Sequence, residues 1–139
     1  MENGAEHTNF EELLARSDFV IATCALTKDT KNLFNKKAFE SMKNSAVFIN
    51  TSRGGIVNQE DLEEALTNRI ISMAGLDVMT PEPLPQGHPL MKLDNCVLIP
   101  HIGSATIQTR TRMATLTAAN IISGIRNEKM PSELYLGNL

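Results

Sequence analysis

The chain has 139 residues, of which 42% are hydrophobic and 21% charged, and this balance indicates a globular domain and excludes a disordered chain. Its net charge of −3 and its 4% of aromatic residues are not those of a nucleic-acid-binding surface. No apolar run approaches the roughly 20 residues of a membrane span, and Cys24 and Cys96 do not have the spacing of a zinc site. We therefore expect a cytoplasmic protein with no metal centre and neither a nucleic-acid nor a membrane partner.

Three segments with helical periodicity each follow a residue type that commonly caps helices. The caps and helices that we predict are Thr8 (paired with Glu11 in a capping box) before a helix that ends near Ser17 and Asp18, Asn35 before Lys36–Met42, and Asn58 before Gln59–Thr67. A longer helix is predicted at 106–126. Its apolar stripe consists of Ala114, Ala118, Ile121, Ile122 and Ile125.

Four short apolar segments between these helices predict β-strands. They are Phe19–Thr23, Ala46–Ile49, Met73–Val78 and Cys96–Ile99. The first two are apolar at consecutive positions, which is typical of strands that are covered on both faces of a parallel sheet. Because strands and helices alternate, the sequence predicts an α/β fold built from parallel βαβ units.

Three polar residues follow the ends of three successive predicted strands. They are Arg53, Glu82 and His101, and the carboxyl ends of parallel strands form the ligand-binding edge of such sheets. Arg binds a carboxylate through two parallel hydrogen bonds, and His transfers protons near neutral pH. A carboxylate on the second ring nitrogen orients the imidazole and favours its charged form. With a hydride carrier, this combination suits the chemistry of 2-oxo and 2-hydroxy acids.

Each of these residues also has an ordinary structural interpretation. Arg53 would by itself be a solvated charge or a helix-capping partner, and Glu82, between two prolines, an exposed surface acid. His101 would be a structural hydrogen-bonding residue, and Asp77 a cap for the turn that follows it. A serine hydrolase is disfavoured because the sequence contains no Gly-x-Ser-x-Gly motif.

From Phe10 to Leu134 the chain resembles the D-2-hydroxyacid dehydrogenase family. The motifs that carry the resemblance are Cys24-Ala25-Leu26-Thr27, Val47-Phe48-Ile49-Asn50-Thr51-Ser52-Arg53-Gly54, Gly75-Leu76-Asp77-Val78, Pro81-Glu82-Pro83-Leu84-Pro85, His88-Pro89-Leu90 and Pro100-His101-Ile102-Gly103-Ser104-Ala105-Thr106. The segment Met130-Pro131-Ser132-Glu133-Leu134 is similar to the glyoxylate/hydroxypyruvate reductase branch of the family.

This resemblance implies the second half of a Rossmann-like, doubly wound parallel sheet with a long C-terminal helix. Residues 1–126 would form a partial NAD(P)-binding domain, and residues 127–139 a tail that belongs to the substrate-side domain. The implied partners are a small 2-oxo or 2-hydroxy acid, NADP or NAD, and a second copy of the chain in a homodimer.

The resemblance also assigns roles to individual residues. His101 would protonate the keto oxygen as hydride arrives from NAD(P)H, and Glu82 would pair with His101. Arg53 would anchor the substrate carboxylate. The remaining implied contacts are Ala25 and Thr51 lining the cofactor, Asp77 holding the nicotinamide carboxamide, and Gly103 allowing the backbone to approach the substrate.

One family feature is missing from this sequence. Family members are more than twice as long and carry a G-x-G-x-x-G turn that binds the cofactor pyrophosphate, whereas no three glycines of this chain have that spacing. We therefore expect this chain to correspond to the C-terminal part of such an enzyme, to expose an apolar edge at Phe19–Thr23, and to bind NAD(P) weakly and turn over little by itself. Two other interpretations stay open: a nucleotide-sensing, corepressor-like dimer scaffold, and a non-catalytic truncated product.

Overall fold

A computed structural model describes residues 4–133, and the chain divides after Ile102 into two compact units. The first unit alternates helices and strands as the sequence predicts. Its helices are α1 (Phe10–Arg16), α2 (Lys36–Glu40) and α3 (Gln59–Thr67), its strands are β1 (Phe19–Ala22), β2 (Val47–Asn50), β3 (Met73–Leu76) and β4 (Cys96–Leu98), and its 3₁₀ helices are Gly54–Ile56 and Pro89–Lys92.

The four strands form one parallel sheet in the order β1-β2-β3-β4. Residues of neighbouring strands lie side by side, as Ile21, Ile49 and Gly75 do. The predicted α/β class with parallel βαβ units is confirmed. β1 pairs with β2 on one side alone and therefore lies at an edge of the sheet, where an apolar edge was expected.

Asparagine caps begin the three helices of the first unit. The Asn35 and Asn58 side chains accept hydrogen bonds from the Ala38 and Asp61 amides, as predicted. The predicted capping box of Thr8 and Glu11 is wrong, because the α1 cap is Asn9, whose side chain accepts from the Glu12 amide at 2.8 Å. Asn caps helices at least as well as Thr, so capping by Asn9 in place of Thr8 does not lower the stability of the helix.

The core lies between one face of the sheet and the three helices. Its fully buried side chains include Phe39 of α2, Phe48 of β2 and Leu62 of α3. The rings of Phe39 and Phe48 meet nearly edge to face, with centroids 5.4 Å apart. This packing holds the helices against the sheet, and the loops that follow the strands extend from this packed core.

The other face of the sheet departs from the prediction that β1 is buried on both faces. Phe19 and Ile21 of β1 are 66% and 54% exposed, and Val97 of β4 is 56% exposed. Along β1, exposed and buried residues alternate, so that only Val20 and Ala22 reach the core. The consecutive apolar residues of β1 thus provide a second apolar face that the described residues leave exposed.

The second unit contains the long helix α4 (Ile107–Ile125), which Thr106 caps by accepting a hydrogen bond from the Thr109 amide. This agrees with the helix predicted at 106–126. No residue of α4 is buried, and Ile121, Ile122 and Ile125 of its apolar stripe are 57%, 48% and 77% exposed. Among the described residues no helix is long and apolar enough to cross a membrane. Leu134 and the rest of the predicted tail to residue 139 lie outside the described residues.

Candidate active site

Glu82 and His101, which the sequence places at the ends of two different strands, form a pair in the structure. Nδ1 of His101 lies 2.9 Å from Oε2 of Glu82. The other carboxylate oxygen, Oε1, accepts a hydrogen bond of 2.8 Å from the Met79 amide. Since an ionised carboxylate only accepts, the Nδ1 atom of His101 carries the hydrogen of this bond, and Nε2 is the ring atom left to exchange a proton.

The Glu82 carboxylate lies in a locally positive environment. Its hydrogen bond with His101 is the main cause that lowers its pKa, and the hydrogen bond from the Met79 amide adds to it. The charge of the Arg53 guanidinium also lowers this pKa and is the smallest of these influences. Partial burial raises the pKa, but its influence is smaller than that of either hydrogen bond. Glu82 is therefore a carboxylate at neutral pH, as an orienting partner of His101 must be.

A strained turn presents His101. Its φ of +53° lies in the left-handed region, which is uncommon for a residue with a side chain. The next residue, Ile102, donates its amide to Oδ1 of the buried Asp77 at 2.7 Å. Asp77 follows β3 directly, so its carboxylate ties the end of β3 to the His101 turn. The turn held by this contact is the His101 turn, whose Ile102 lies 25 residues further along the chain, and not the turn that directly follows Asp77.

Arg53 follows β2, and the backbone around it is held by Asn50, a buried residue at the end of that strand. The Asn50 amide donates to the Arg53 carbonyl at 3.0 Å, and its oxygen accepts from the Ser52 amide at 3.1 Å. Nη1 of Arg53 donates to the Ser52 carbonyl at 2.6 Å. The guanidinium is thus exposed but tethered close to its own loop.

Two open cavities lie at this edge of the sheet. A cavity of about 490 Å³ lies beside the pair of Glu82 and His101, and its remaining lining is apolar apart from backbone: Met79, Pro83, Leu84, Met91, Leu98, Ile99 and Pro100. A second cavity, of about 610 Å³, lies between the loops after β1 and β2. It is lined by Thr23, Cys24, Ala25, Leu26, Ser52 and Arg53. Two of the predicted site residues, Ala25 and Arg53, therefore share one cavity.

Two other predicted site residues, Thr51 and Gly103, line neither of these two cavities. Thr51 is exposed in the same loop as Arg53, and Gly103 is an exposed residue that begins the second unit. Asn50 and Gln59 were not among the predicted site residues, although the side-chain amide of Gln59 holds the backbone of Thr80, close to Glu82 in the chain. A polar residue at the end of an apolar strand was the available signal for Asn50. For Gln59, at the start of a helix, the sequence carries none. No group of three or more His, Cys, Asp or Glu able to hold a metal occurs among residues 4–133.

Comparison with known proteins identifies the family of this chain. The family model described as "D-isomer specific 2-hydroxyacid dehydrogenase, NAD binding domain" matches residues 1–103. A glyoxylate reductase/hydroxypyruvate reductase from Mus musculus is 56% identical over 132 residues, which are 95% of this chain and 40% of the mouse protein.

Two solved structures share the fold. A glyoxylate reductase from Paecilomyes thermophila matches with a TM-score of 0.88 and 32% identity over 96% of this chain and 40% of its own. An NADPH-dependent glyoxylate/hydroxypyruvate reductase from Sinorhizobium meliloti, in complex with NADP and malonate, matches with a TM-score of 0.87 and 28% identity, over 96% and 43%. The parallel sheet is therefore a Rossmann-like half-sheet, as the resemblance implied.

The chain spans 40% of the length of the mouse relative, so the similarity concerns one part of a larger architecture. Within that part it is continuous, since the family model covers the four strands and the Arg53, Glu82 and His101 positions. On this evidence the chain belongs to the D-isomer specific 2-hydroxyacid dehydrogenase family and represents a portion of its NAD-binding domain.

Proposed function

We propose that this chain provides the acid–base group and the substrate-carboxylate site of an NAD(P)-dependent reductase of small 2-oxo acids, with glyoxylate and hydroxypyruvate as substrates. The observation that carries the proposal is the hydrogen bond of 2.9 Å between Glu82 and His101. This choice of substrates is supported by the similarity to proteins named glyoxylate reductase and hydroxypyruvate reductase.

In this mechanism His101 is the general acid. Its Nε2 donates a proton to the oxo oxygen of the substrate as that oxygen becomes an alkoxide. Glu82 holds Nδ1 and stabilises the imidazolium before the transfer, so the ring stays oriented during the reaction. The nicotinamide cofactor, when bound, supplies the hydride for the carbonyl carbon. In the reverse direction the neutral imidazole accepts the proton of a 2-hydroxy acid.

Arg53 is the proposed anchor for the substrate carboxylate. A guanidinium offers several N–H groups in one plane, and the bond from Nη1 to the Ser52 carbonyl restricts its position at the mouth of the cavity. A carboxylate on Arg53 places the neighbouring oxo group where the guanidinium also polarises it. Gly103, directly after Ile102 in the chain, is the proposed point of close backbone approach to the substrate.

The residues present fit the nicotinamide end of the cofactor. The open cavity lined by Ala25 lies at the carboxyl ends of β1 and β2, where dinucleotides bind in sheets of this kind. Thr51 and Asp77 are the other proposed contacts, and either NAD or NADP fits this end. The glycine-rich turn that binds pyrophosphate is absent from the sequence. We therefore propose that the isolated chain binds the cofactor weakly and is inactive.

A chimera tests the proposed activity. The matching 132 residues of the mouse relative are replaced by those of this chain, and NADPH oxidation is followed with glyoxylate and with hydroxypyruvate. Activity in the chimera is expected. His101→Asn should reduce kcat by about 10²–10⁴-fold, the usual contribution of a general acid, and Arg53→Gln should mainly raise KM. Gln86→Ala, an exposed residue of the loop that carries Glu82, is the matched control.

The outcomes separate the proposal from its alternatives. A folded chimera that binds NADPH but oxidises it with neither substrate refutes the reductase and favours a nucleotide-sensing scaffold. A chimera that neither binds nor reacts favours a non-catalytic product. An active chimera that is unaffected by His101→Asn refutes the role of His101 alone.

We also propose that residues 1–126 act as the cofactor-domain portion, that residues 127–139 join the substrate-side domain, and that the protein is a cytoplasmic homodimer. The exposed apolar stripe of α4 supports association, because such a helix buries its stripe against another surface. Size-exclusion chromatography with light scattering tests it. A strictly monomeric chimera would contradict the dimer.

A further inference from the structure

Gln59, the first residue of α3, binds the backbone of Thr80 through both ends of its side-chain amide. Oε1 accepts from the Thr80 amide at 3.0 Å, and Nε2 donates to the Thr80 carbonyl at 2.8 Å. A side chain that satisfies both polar groups of one residue imitates the pairing of a neighbouring strand. The pairing holds a loop that contains no helix or strand of its own.

Thr80 is adjacent to the group that fixes Glu82. The Met79 amide donates to Oε1 of Glu82 at 2.8 Å, and Oε2 of Glu82 meets His101. The contacts therefore form an unbroken series from α3 through Thr80 and Met79 to the acid–base pair. A shift of Thr80 moves the Met79 amide and removes one of the two bonds that orient the carboxylate.

Gly54 lies close to the same two loop residues. A Cβ added there would lie 2.0 Å from the Met79 carbonyl oxygen and 2.5 Å from the Thr80 hydroxyl oxygen. Gly54 follows Arg53 directly, and α3 begins at Gln59 a few residues later. One short segment, 53–59, therefore carries the proposed substrate anchor and approaches the loop of Glu82 at two points, Gly54 and Gln59.

We propose that Gln59 is a positioning residue of this site, which holds Thr80 so that the Glu82 carboxylate keeps its place between the Met79 amide and His101. The effect of Gln59 on catalysis rests on the proposed function, whereas its effect on the position of Glu82 does not. Gln59 touches neither substrate nor cofactor. It acts through Thr80 and Met79, and it couples the position of the loop that carries Glu82 to the position of the segment that carries Arg53.

The test follows the protonation of Glu82 by NMR in the isotope-labelled chain, without cofactor or substrate. In the parent chain, the Glu82 carboxyl carbon and the Met79 amide proton should titrate together, because the amide is bonded to that carboxylate. In Gln59→Ala we expect the pKa of Glu82 to rise toward its ordinary value and the titration amplitude of the Met79 amide to fall at least twofold. Unchanged values for both signals would overturn the proposal.

Three further variants keep this result interpretable. Gln59→Glu retains the acceptor for the Thr80 amide but loses the donor, and a carboxylate suits the first turn of a helix, so it tests the pairing without weakening α3. It should give an intermediate effect, and it replaces Gln59→Ala if that variant does not fold. Gln86→Ala should change nothing. His88→Asn controls for the ring whose Nε2 lies 3.2 Å from Gln59 Nε2, and it should leave the Glu82 titration unchanged.

The catalytic consequence is measured separately in the chimera. Gln59→Ala should lower kcat by about tenfold with little change in KM, since the acid is misplaced while the carboxylate anchor is retained. A normal NMR response in an inactive chimera refutes the proposed function and leaves the positioning role intact. An active chimera in which Gln59→Ala changes neither kcat nor the Glu82 titration refutes the positioning role alone.

Discussion

The substitution Gly54→Ala tests how closely the loop after β2 approaches the loop of Glu82. The added methyl carbon would lie 2.0 Å from the Met79 carbonyl oxygen, whereas real Cβ atoms essentially never approach a non-bonded heavy atom of another residue within 3.0 Å. One of the two backbone segments must therefore move by about 1 Å. Gly55→Ala is the matched control, because its methyl carbon would first meet the end of the flexible Leu26 side chain, at 3.1 Å.

The expected loss follows from the bonds that such a movement breaks. Displacing Met79 and Thr80 disrupts the Met79 bond to the Glu82 carboxylate and the two bonds to the Gln59 amide. A net contribution of about 1 kcal/mol per neutral bond and about 2 kcal/mol for the charged one, reduced by solvent exposure, gives a loss of about 3 kcal/mol. For Gly55→Ala we expect a change of less than about 1 kcal/mol, since the Leu26 rotamer adjusts and alanine restricts the unfolded chain.

Urea unfolding followed by circular dichroism measures both free energies. With the slopes usual for small domains, the loss of about 3 kcal/mol lowers the Gly54→Ala midpoint by about 1–3 M urea. Both variants should also be compared by the amide signal of Met79, which should move in Gly54→Ala alone. If the two glycine variants unfold within about 0.5 kcal/mol of each other, the close approach of the two loops is not what holds them.

Three further predictions concern the charge of Glu82, the thiols and the cofactor. Glu82→Gln should be less stable than the parent chain at neutral pH and equally stable in acid. The lowered pKa of Glu82 stabilises the fold above the unfolded-state pKa, and this contribution is lost as the pH falls through the folded-state pKa. Urea unfolding midpoints across pH measure the difference, and a difference that does not change with pH would contradict the prediction. Iodoacetamide should modify Cys24, which lines an open cavity, well before Cys96, because burial raises the pKa of the Cys96 thiol to about 11; peptide mass spectrometry would reveal equal rates if this is wrong. Calorimetric titration of the isolated chain with NADPH should show no micromolar binding, since the glycine-rich turn is absent, and a micromolar Kd would refute the weak-binding proposal.

Helices were predictable wherever their signals are local. The helix at Gln59–Thr67 and its Asn58 cap are found as predicted, because cap and apolar face lie within one short stretch of sequence. At α1 two adjacent residues, Thr8 and Asn9, were both able to cap. The capping-box rule favoured the first, and the structure uses the second. The two choices differ by one residue in the start of the helix, and residue preferences do not predict a helix boundary that precisely.

Strand positions were predictable, but their environment was not. The apolar run of β1 correctly indicated a strand of a parallel sheet, since that composition suits burial on both faces. Composition records what a strand is able to bury, whereas the exposure of Phe19 and Ile21 depends on which elements lie against the sheet. That information resides outside the strand, so no reading of β1 alone would have provided it.

For the site, one topological rule placed the main pair. Strand-end residues of a parallel sheet meet at one edge, and this predicted that Glu82 and His101 would converge although 19 residues separate them. The supports of the pair were not predictable. The contact of Gln59 with Thr80 spans 21 residues, and that of Gly54 with Met79 joins the start of a short 3₁₀ helix to an irregular loop. Both depend on loop paths that no periodicity describes.

The supports of the acid–base pair lie within the first compact unit, and this divides the proposed reaction into two parts. Met79 and Gln59 hold the Glu82 side, and Asp77 holds the His101 turn through the Ile102 amide. A proton donor oriented by its own fold needs no bound nucleotide to assemble it. The hydride donor depends instead on phosphate contacts for which this sequence has no glycine-rich turn. Added NADPH should therefore leave the Glu82 titration of the isolated chain unchanged, and we expect a segment that supplies the nucleotide site to confer the proposed activity by delivering the cofactor to a proposed acid that is already oriented.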